Sequence, residues 1–567
     1  MIRRFTVWAS SRTAIAASAC ALFCSLPFNA RALPAMPSPQ VQLVEGVVEG
    51  DRLMTGIHQV NVFRGIPYAA PPVGVNRWRE PQRLAPWTSV RDAKTFGPRC
   101  MQMPLPGIRF RSMSMNEDCL YLNVWAPPSS NDGKLPVLVY FHGGGFAFGD
   151  GSEPRYDGAH LAARGMIVVT VNFRLGAFGF MAHPDASRDS AAGATGNYGL
   201  LDQQAALRWV RDNIARFGGN PAKVTIGGET TGAMAVSAHM ASPSSRGLFA
   251  RAIGESGGAF TPNTFWHRAK AEKIAKAFAT RLGADSFDAL RAMPPEKVQA
   301  AMGTRHDPQP AFWPNIDGQF LADTPAAVFE AGQQANVPLL LGSNSQESHF
   351  RTIYGPIAPT AENWNIILTA VFGKEISEAH RFYPGNDEDE INRSAAVLAN
   401  DLTTSHSAWR WMDLHRNTGR APVYFYLFTH RRPRPVASAA KEAEAENPSP
   451  ATGAPHRSEI VYALANLDED RRYRWTEDDR AVSRIFSGYI EQFVKTGNPN
   501  GVNDRQADFT RLGRISSVGR LPHWPAVRQE RDGLTRQAIG TETVTLWDSS
   551  AERQALIERI MQARSSH

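Results

Sequence analysis

Cysteine is nearly absent from this chain, with 4 among 567 residues. That scarcity excludes a small scaffold stapled by many disulfides. No further Cys or His stands at ligand spacing beside Cys100 and Cys119, so no metal site is expected. Blocks of one charge are missing too. Against 54 Asp and Glu stand 61 Lys and Arg, and the formal charge of +7 is modest for this length. Without a Lys/Arg block or an aromatic–basic stripe, no nucleic-acid partner is expected and the basic surface reads as solvated. Beyond residue 33 no run is long and apolar enough to cross a membrane. Length alone suggests about three domains at roughly 100–200 residues each. Repeats and clear linkers are lacking, however, and residues 33–567 read as one domain.

What is present at the N-terminus is a targeting pattern. Arg3 and Arg4 precede an apolar stretch from Ala14 to Phe28, and Ala30-Arg31-Ala32 offers a small-residue cleavage site. Residues 1–32 therefore read as a signal peptide, and the product as exported, periplasmic or secreted, without a membrane anchor. The paired arginines leave the export route open between the general and twin-arginine systems. Cys20 and Cys24 depart with the signal. Two remaining cysteines in an oxidising compartment predict one short-loop bridge, Cys100–Cys119, against the alternative of two reduced buried thiols.

Along the chain, apolar β-rich runs alternate with helical periods. Val137-Leu138-Val139-Tyr140-Phe141 and Met166 to Val171 read as buried strands, as do Pro338 to Gly342 and Val423 to Phe428. Between them, Leu201 to Phe217 carries a helical period and stops at Gly218-Gly219. The alternation predicts an α/β fold, with a large, mostly parallel sheet covered by helices on both faces. Residues 431–455, rich in Pro, Ala, Glu and Ser with helix-tolerant Lys441 to Glu446 inside, read as a mobile surface loop, and Glu552 to Ala563 as a closing helix.

One pentapeptide concentrates the chemistry. Gly228-Glu229-Thr230-Thr231-Gly232 lies between a strand-like run (Lys223 to Ile226) and a small-residue helix (Ala233 to Met240). Strand, tight glycine turn and helix are the setting of a nucleophile elbow, G-x-S-x-G, with threonine at its centre. Gly254-Glu255-Ser256-Gly257-Gly258 matches the letters better. It is succeeded by Ala259-Phe260-Thr261-Pro262 rather than by a small-residue helix, which favours Thr230 as the reactive hydroxyl. Threonine retains the hydroxyl, but its β-branch is ill suited to a positive φ and crowds an acyl carbon.

The chain resembles the type-B carboxylesterase family, which includes bacterial carboxylesterases and cholinesterases. The landmarks are Phe63-Arg64-Gly65-Ile66-Pro67-Tyr68, Glu117-Asp118-Cys119-Leu120, Asn197-Tyr198-Gly199-Leu200, Phe217-Gly218-Gly219-Asn220-Pro221 and Lys495-Thr496-Gly497-Asn498-Pro499. The resemblance implies an α/β-hydrolase fold and ester hydrolysis through an acyl-enzyme, with a small-molecule ester as partner and no cofactor. It implies a triad of Thr230, Glu347 and His456, and an oxyanion hole from the N–H groups of Gly144, Gly145 and Thr231 behind His142-Gly143-Gly144-Gly145. Glu229 is expected to tune the field beside His456, and Ser256 to be a buried supporting group. Ion pairs Arg77–Glu117 and Arg174–Asp202 and the Cys100–Cys119 bridge are implied as structural. Ser348 stands where the family has glycine after its acid. Arg431, Arg432 and Arg434, ahead of the His456 loop, raise the expectation of acid-bearing esters against that of solvated loop charge. Threonine in place of serine leaves a second reading, a catalytically impaired binding protein on the same fold.

Overall fold

The computed structural model describes residues 37–565, apart from 104–107, 129–133, 189, 191–192, 194, 304–311, 447–450, 452, 502–520 and 531–532. The expected signal, residues 1–32, lies outside the described residues.

Alternating burial builds the centre. A 12-stranded sheet comprises β1 (Asp51–Thr55), β2 (His58–Pro67), β3 (Tyr121–Ala126), β4 (Leu135–Phe141), β5 (Ile167–Val171) and β6 (Gly219–Glu229). It continues with β7 (Arg251–Glu255), β8 (Leu339–Asn344), β9 (Val423–Phe428), β10 (Gln529–Glu530), β11 (Gly533–Ile539) and β12 (Val544–Asp548). The spatial order is β10-β11-β9-β8-β7-β6-β4-β5-β3-β2-β1, with β12 beside β11. From β5 through β11 neighbouring strands run parallel, and the pairings at both edges are antiparallel. Successive residues of each central strand enter different cores. Val137, Val139 and Phe141 of β4 lie on one face and Leu138 and Tyr140 on the other, and Leu339 and Leu341 of β8 oppose Leu340 in the same way. A sheet apolar on both faces must be covered twice.

The covering helices are α1 (Tyr198–Asn213), α2 (Thr231–Ala241), α3 (Glu388–Asp401), α4 (Thr404–Thr418), α5 (Glu477–Thr496) and α6 (Ala551–Ser565). Helices α1, α2 and α4 fill the first core, while α5 packs Val482, Phe486, Ile490 and Phe493 into the second. A capping box between Thr476 and Asp479 starts α5, and Gly497 at φ 82 ends it. Helices α3 and α6 share a separate apolar cluster.

Two boundaries differ from expectation. Helix α1 begins at Tyr198, not Leu201, because Tyr198 and Leu200 are themselves buried, and Ile214–Phe217 tightens into a 3-10 turn before Gly218. The 431–455 segment is only partly loop. Ala437–Ala439 and Ala440–Glu446 are helical, as strong helix formers Ala, Lys and Glu allow. Among the described residues no helix is long and apolar enough to cross a membrane.

Candidate active site

The turn at Thr230 is dictated by glycines on either side. A Cβ on Gly228 would lie 2.5 Å from the Gly232 carbonyl carbon, and one on Gly232 would lie 2.2 Å from the Phe141 oxygen. Strand β6 can therefore pass directly into α2. Thr230, at the junction, adopts φ 53 and ψ −111. A β-branched residue held there stores on the order of 1–3 kcal/mol of strain. The turn is fixed by Thr230 N–H donating to Glu255 O and Met234 N–H donating to Thr230 O, both at 2.9 Å. Thr230 Oγ1 thereby stands 2.8 Å from His456 Nε2, and its hydroxyl also donates to Glu229 Oε1.

Ser256 directly follows the adjacent strand β7 and shares the positive φ, at 52. It is fully buried, and its hydroxyl donates to Glu459 Oε1 at 2.8 Å rather than to a histidine.

His456 and Glu347 come from loops beyond β9 and β8 that are bound to each other. Gln346 pairs with Pro455, Gln346 N–H donates to Ala454 O at 2.9 Å, and Asn344 Nδ2 donates to Pro455 O at 2.8 Å. His456 Nδ1 lies 2.6 Å from Glu347 Oε2, and Glu347 Oε1 accepts from Asn344 N–H at 2.6 Å. Asn400, at the end of α3, carries no sequence signal. Its Oδ1 accepts the N–H groups of Glu347 at 2.8 Å and Ser348 at 3.1 Å, and its Nδ2 donates to Ser345 O at 2.9 Å. The turn at Ser348 is thus held by a side chain from another helix.

Four acids crowd this region. His456, 27% exposed, has Glu347 on Nδ1 and Glu229 Oε1 at 3.2 Å from Nε2. Burial disfavours its charge, but Glu229, Glu347 and Glu459 outweigh that and push its pKa up to about 9. Burial, then repulsion from Glu229 and Glu347, raises Glu459 to about 7. Burial and Glu459 raise Glu255 well above the carboxylate range; it accepts from the Tyr140 hydroxyl at 2.6 Å. Among the described residues no group of His, Cys, Asp or Glu is arranged to hold a metal ion.

The loop after β4 faces the elbow. Gly144 sits at φ 117, where a Cβ would lie 2.0 Å from Phe148 O, and Gly145 at φ 64 has open space on its Cβ side. Among the described residues no protein acceptor takes the N–H groups of Gly144, Gly145 or Thr231. His142 is buried and stacked on Phe173 at 4.4 Å. Burial lowers its pKa to about 4, so the ring is neutral and Nδ1–H serves Gly143 O at 2.8 Å.

The supporting pairs are in place. Cys100 and Cys119 are bridged. Arg77 grips Glu117 with Nε at 2.6 Å from Oε1, and Arg174 holds Asp202 bidentately at 2.8 and 2.7 Å. Arg431 donates to Ala451 O, and Arg432 donates to Arg457 O at 3.1 Å and covers the Tyr473 ring.

Residues 37–544 match the model of the carboxylesterase family. Fumonisin B1 esterase of Sphingopyxis macrogoltabida is 34% identical over 498 residues, covering 84% of this chain and 85% of its own. Acetylcholinesterase of Danio rerio is 32% identical over 580 residues, at 89% and 87% coverage. The solved structure of PNB esterase superimposes with a TM-score of 0.70 at 31% identity, covering 92% of this chain and 100% of its own. A hydroxyl, an imidazole and a carboxylate in line on an α/β-hydrolase sheet, with these relatives across most of the length, lead to one conclusion: the chain belongs to the carboxylesterase family and is a carboxylic-ester hydrolase.

Proposed function

We propose that this enzyme cleaves its ester through an acyl-threonine intermediate, with Thr230 as nucleophile, His456 as base and then acid, and Glu347 as the group that orients the imidazole. The observation that carries the reading is the unbroken run Thr230 Oγ1–His456 Nε2 at 2.8 Å and His456 Nδ1–Glu347 Oε2 at 2.6 Å. Neutral His456 takes the Thr230 proton as Oγ1 attacks the acyl carbon. The carbonyl oxygen becomes anionic and is received by the N–H groups of Gly144, Gly145 and Thr231. Collapse expels the alcohol, which takes its proton from the imidazolium. Water, activated by the same imidazole, then releases the acid and restores Thr230. Export through the N-terminal segment belongs to the same proposal, and the Cys100–Cys119 bridge agrees with an oxidising destination.

Covalent labelling with an organophosphonate, and then peptide mapping, tests the assignment. Label on Thr230 is expected. Label on Ser256 would transfer the role to the neighbouring strand. A wild type that neither labels nor turns over esters, beside an active Thr230→Ser variant, would mark the threonine as a disabling replacement.

A further inference from the structure

Arg457 is next in the chain after His456 and is held at φ 67, a conformation that long side chains rarely adopt and glycine takes freely. Its carbonyl is pinned by Arg432. The guanidinium turns inward, 14% exposed, with Nε 3.6 Å from Glu229 Oε2. Glu229 is wholly buried, and Oε2 accepts no hydrogen bond among the described residues, so its balance is this ion pair. The nearby Arg155 is already paired with Glu153 at 2.9 Å. Gly143 leaves the room, since a Cβ there would lie 2.5 Å from Oε2. The other carboxylate oxygen, Oε1, receives the Thr230 hydroxyl and lies 3.2 Å from His456 Nε2.

We infer that Arg457 is a positioning residue: by fixing the Glu229 carboxylate it keeps the Thr230 hydroxyl, rather than the Thr230 methyl, turned toward His456. Threonine has few χ1 wells, and in the wrong one the methyl occupies the place of the oxygen. A serine elbow needs this less, because its hydroxyl can turn without displacing a methyl. The inference rests on Thr230 being the nucleophile.

A double-mutant cycle tests it, using kcat and KM on a p-nitrophenyl ester. Arg457→Gln is expected to lower kcat by roughly 10- to 100-fold, the scale of a misplacement near 1 Å, with KM changed by less than about twofold. Arg457→Lys should recover most of the loss. In a Glu229→Gln background the Arg457→Gln change should cost less than about twofold, since the intermediary is already gone. Arg457→Gly, which suits the bend, should fold and show the same defect. Fully additive losses, no recovery by lysine, or a loss confined to KM would overturn the inference alone, provided wild-type turnover vanishes in Thr230→Ala. Wild-type turnover that survives in Thr230→Ala would remove the nucleophile reading, and the inference with it.

Discussion

Replacing Thr230 by serine removes one methyl group and nothing else from the reacting line. The oxygen already stands close to the base, with Oγ1 2.8 Å from Nε2, so the hydroxyl-to-base distance leaves little to gain. The gain lies in the approach to the acyl carbon. At φ 53 and ψ −111 the backbone fixes Cβ, and the methyl must sit against the incoming acyl group or force the oxygen aside. If the displacement is near 1 Å, the cost is on the order of 100-fold, or ~2.7 kcal/mol of barrier. Thr230→Ser should therefore raise kcat by roughly 10- to 100-fold. Stability should hardly change, because a lost methyl costs at most about 0.8 kcal/mol and serine inherits the same left-handed turn. The assay is kcat on a p-nitrophenyl ester, normalised to sites titrated with an organophosphonate. Equal or lower kcat per titrated site in the serine variant would refute the steric argument.

The same geometry sets other outcomes. His456 must be neutral to act as base, and its pKa is raised to about 9, so kcat/KM should climb from pH 6 to above 9 instead of levelling near 7. Glu229→Gln should move that limb to lower pH in the same pH–rate measurement. Gly144→Ala would drive a Cβ to 2.0 Å from Phe148 O, whereas Gly145→Ala enters open space. The first should lower kcat by roughly 100- to 1,000-fold through loss of an oxyanion donor, and the second by clearly less. Asp202→Asn strands Arg174, which is only 3% exposed, and should destabilise the fold by about 3–5 kcal/mol in urea unfolding.

Residue order makes much of the fold and the site legible. Apolar runs mark β4, β5, β8 and β9, and the strand–glycine–helix pattern locates Thr230 against a better-spelled competitor. That competitor shares the elbow's positive φ, so backbone strain alone does not separate them. The downstream chain differs between them: Thr230 leads into α2, whereas Ser256 leads into a glycine whose Cβ would lie 2.8 Å from Thr230 O. Other features leave no trace in the sequence. Asn400 and Arg457 act through contacts made only when distant loops meet, and neither belongs to a pattern with a period or a spacing. The start of α1 escapes the helical period because Tyr198 and Leu200 are buried ahead of the regular stripe. The helix at Ala440–Glu446, by contrast, is foreshadowed by the helix-tolerant residues Lys441 to Glu446, although the prolines around it favour a loop.

The proposed triad also sets a clock. Thr230 and His456 are 226 residues apart, and Glu347 and His456 are 109 apart. At roughly 5–20 residues per second, synthesis completes the elbow about 10–45 s before the histidine exists. A chain shortened between Glu255 and His456 holds the residues of the turn and still has no base. Ester turnover is therefore a report of completed folding, and a nascent-chain assay reading hydrolysis times the closing of the two loops rather than the growth of the sheet.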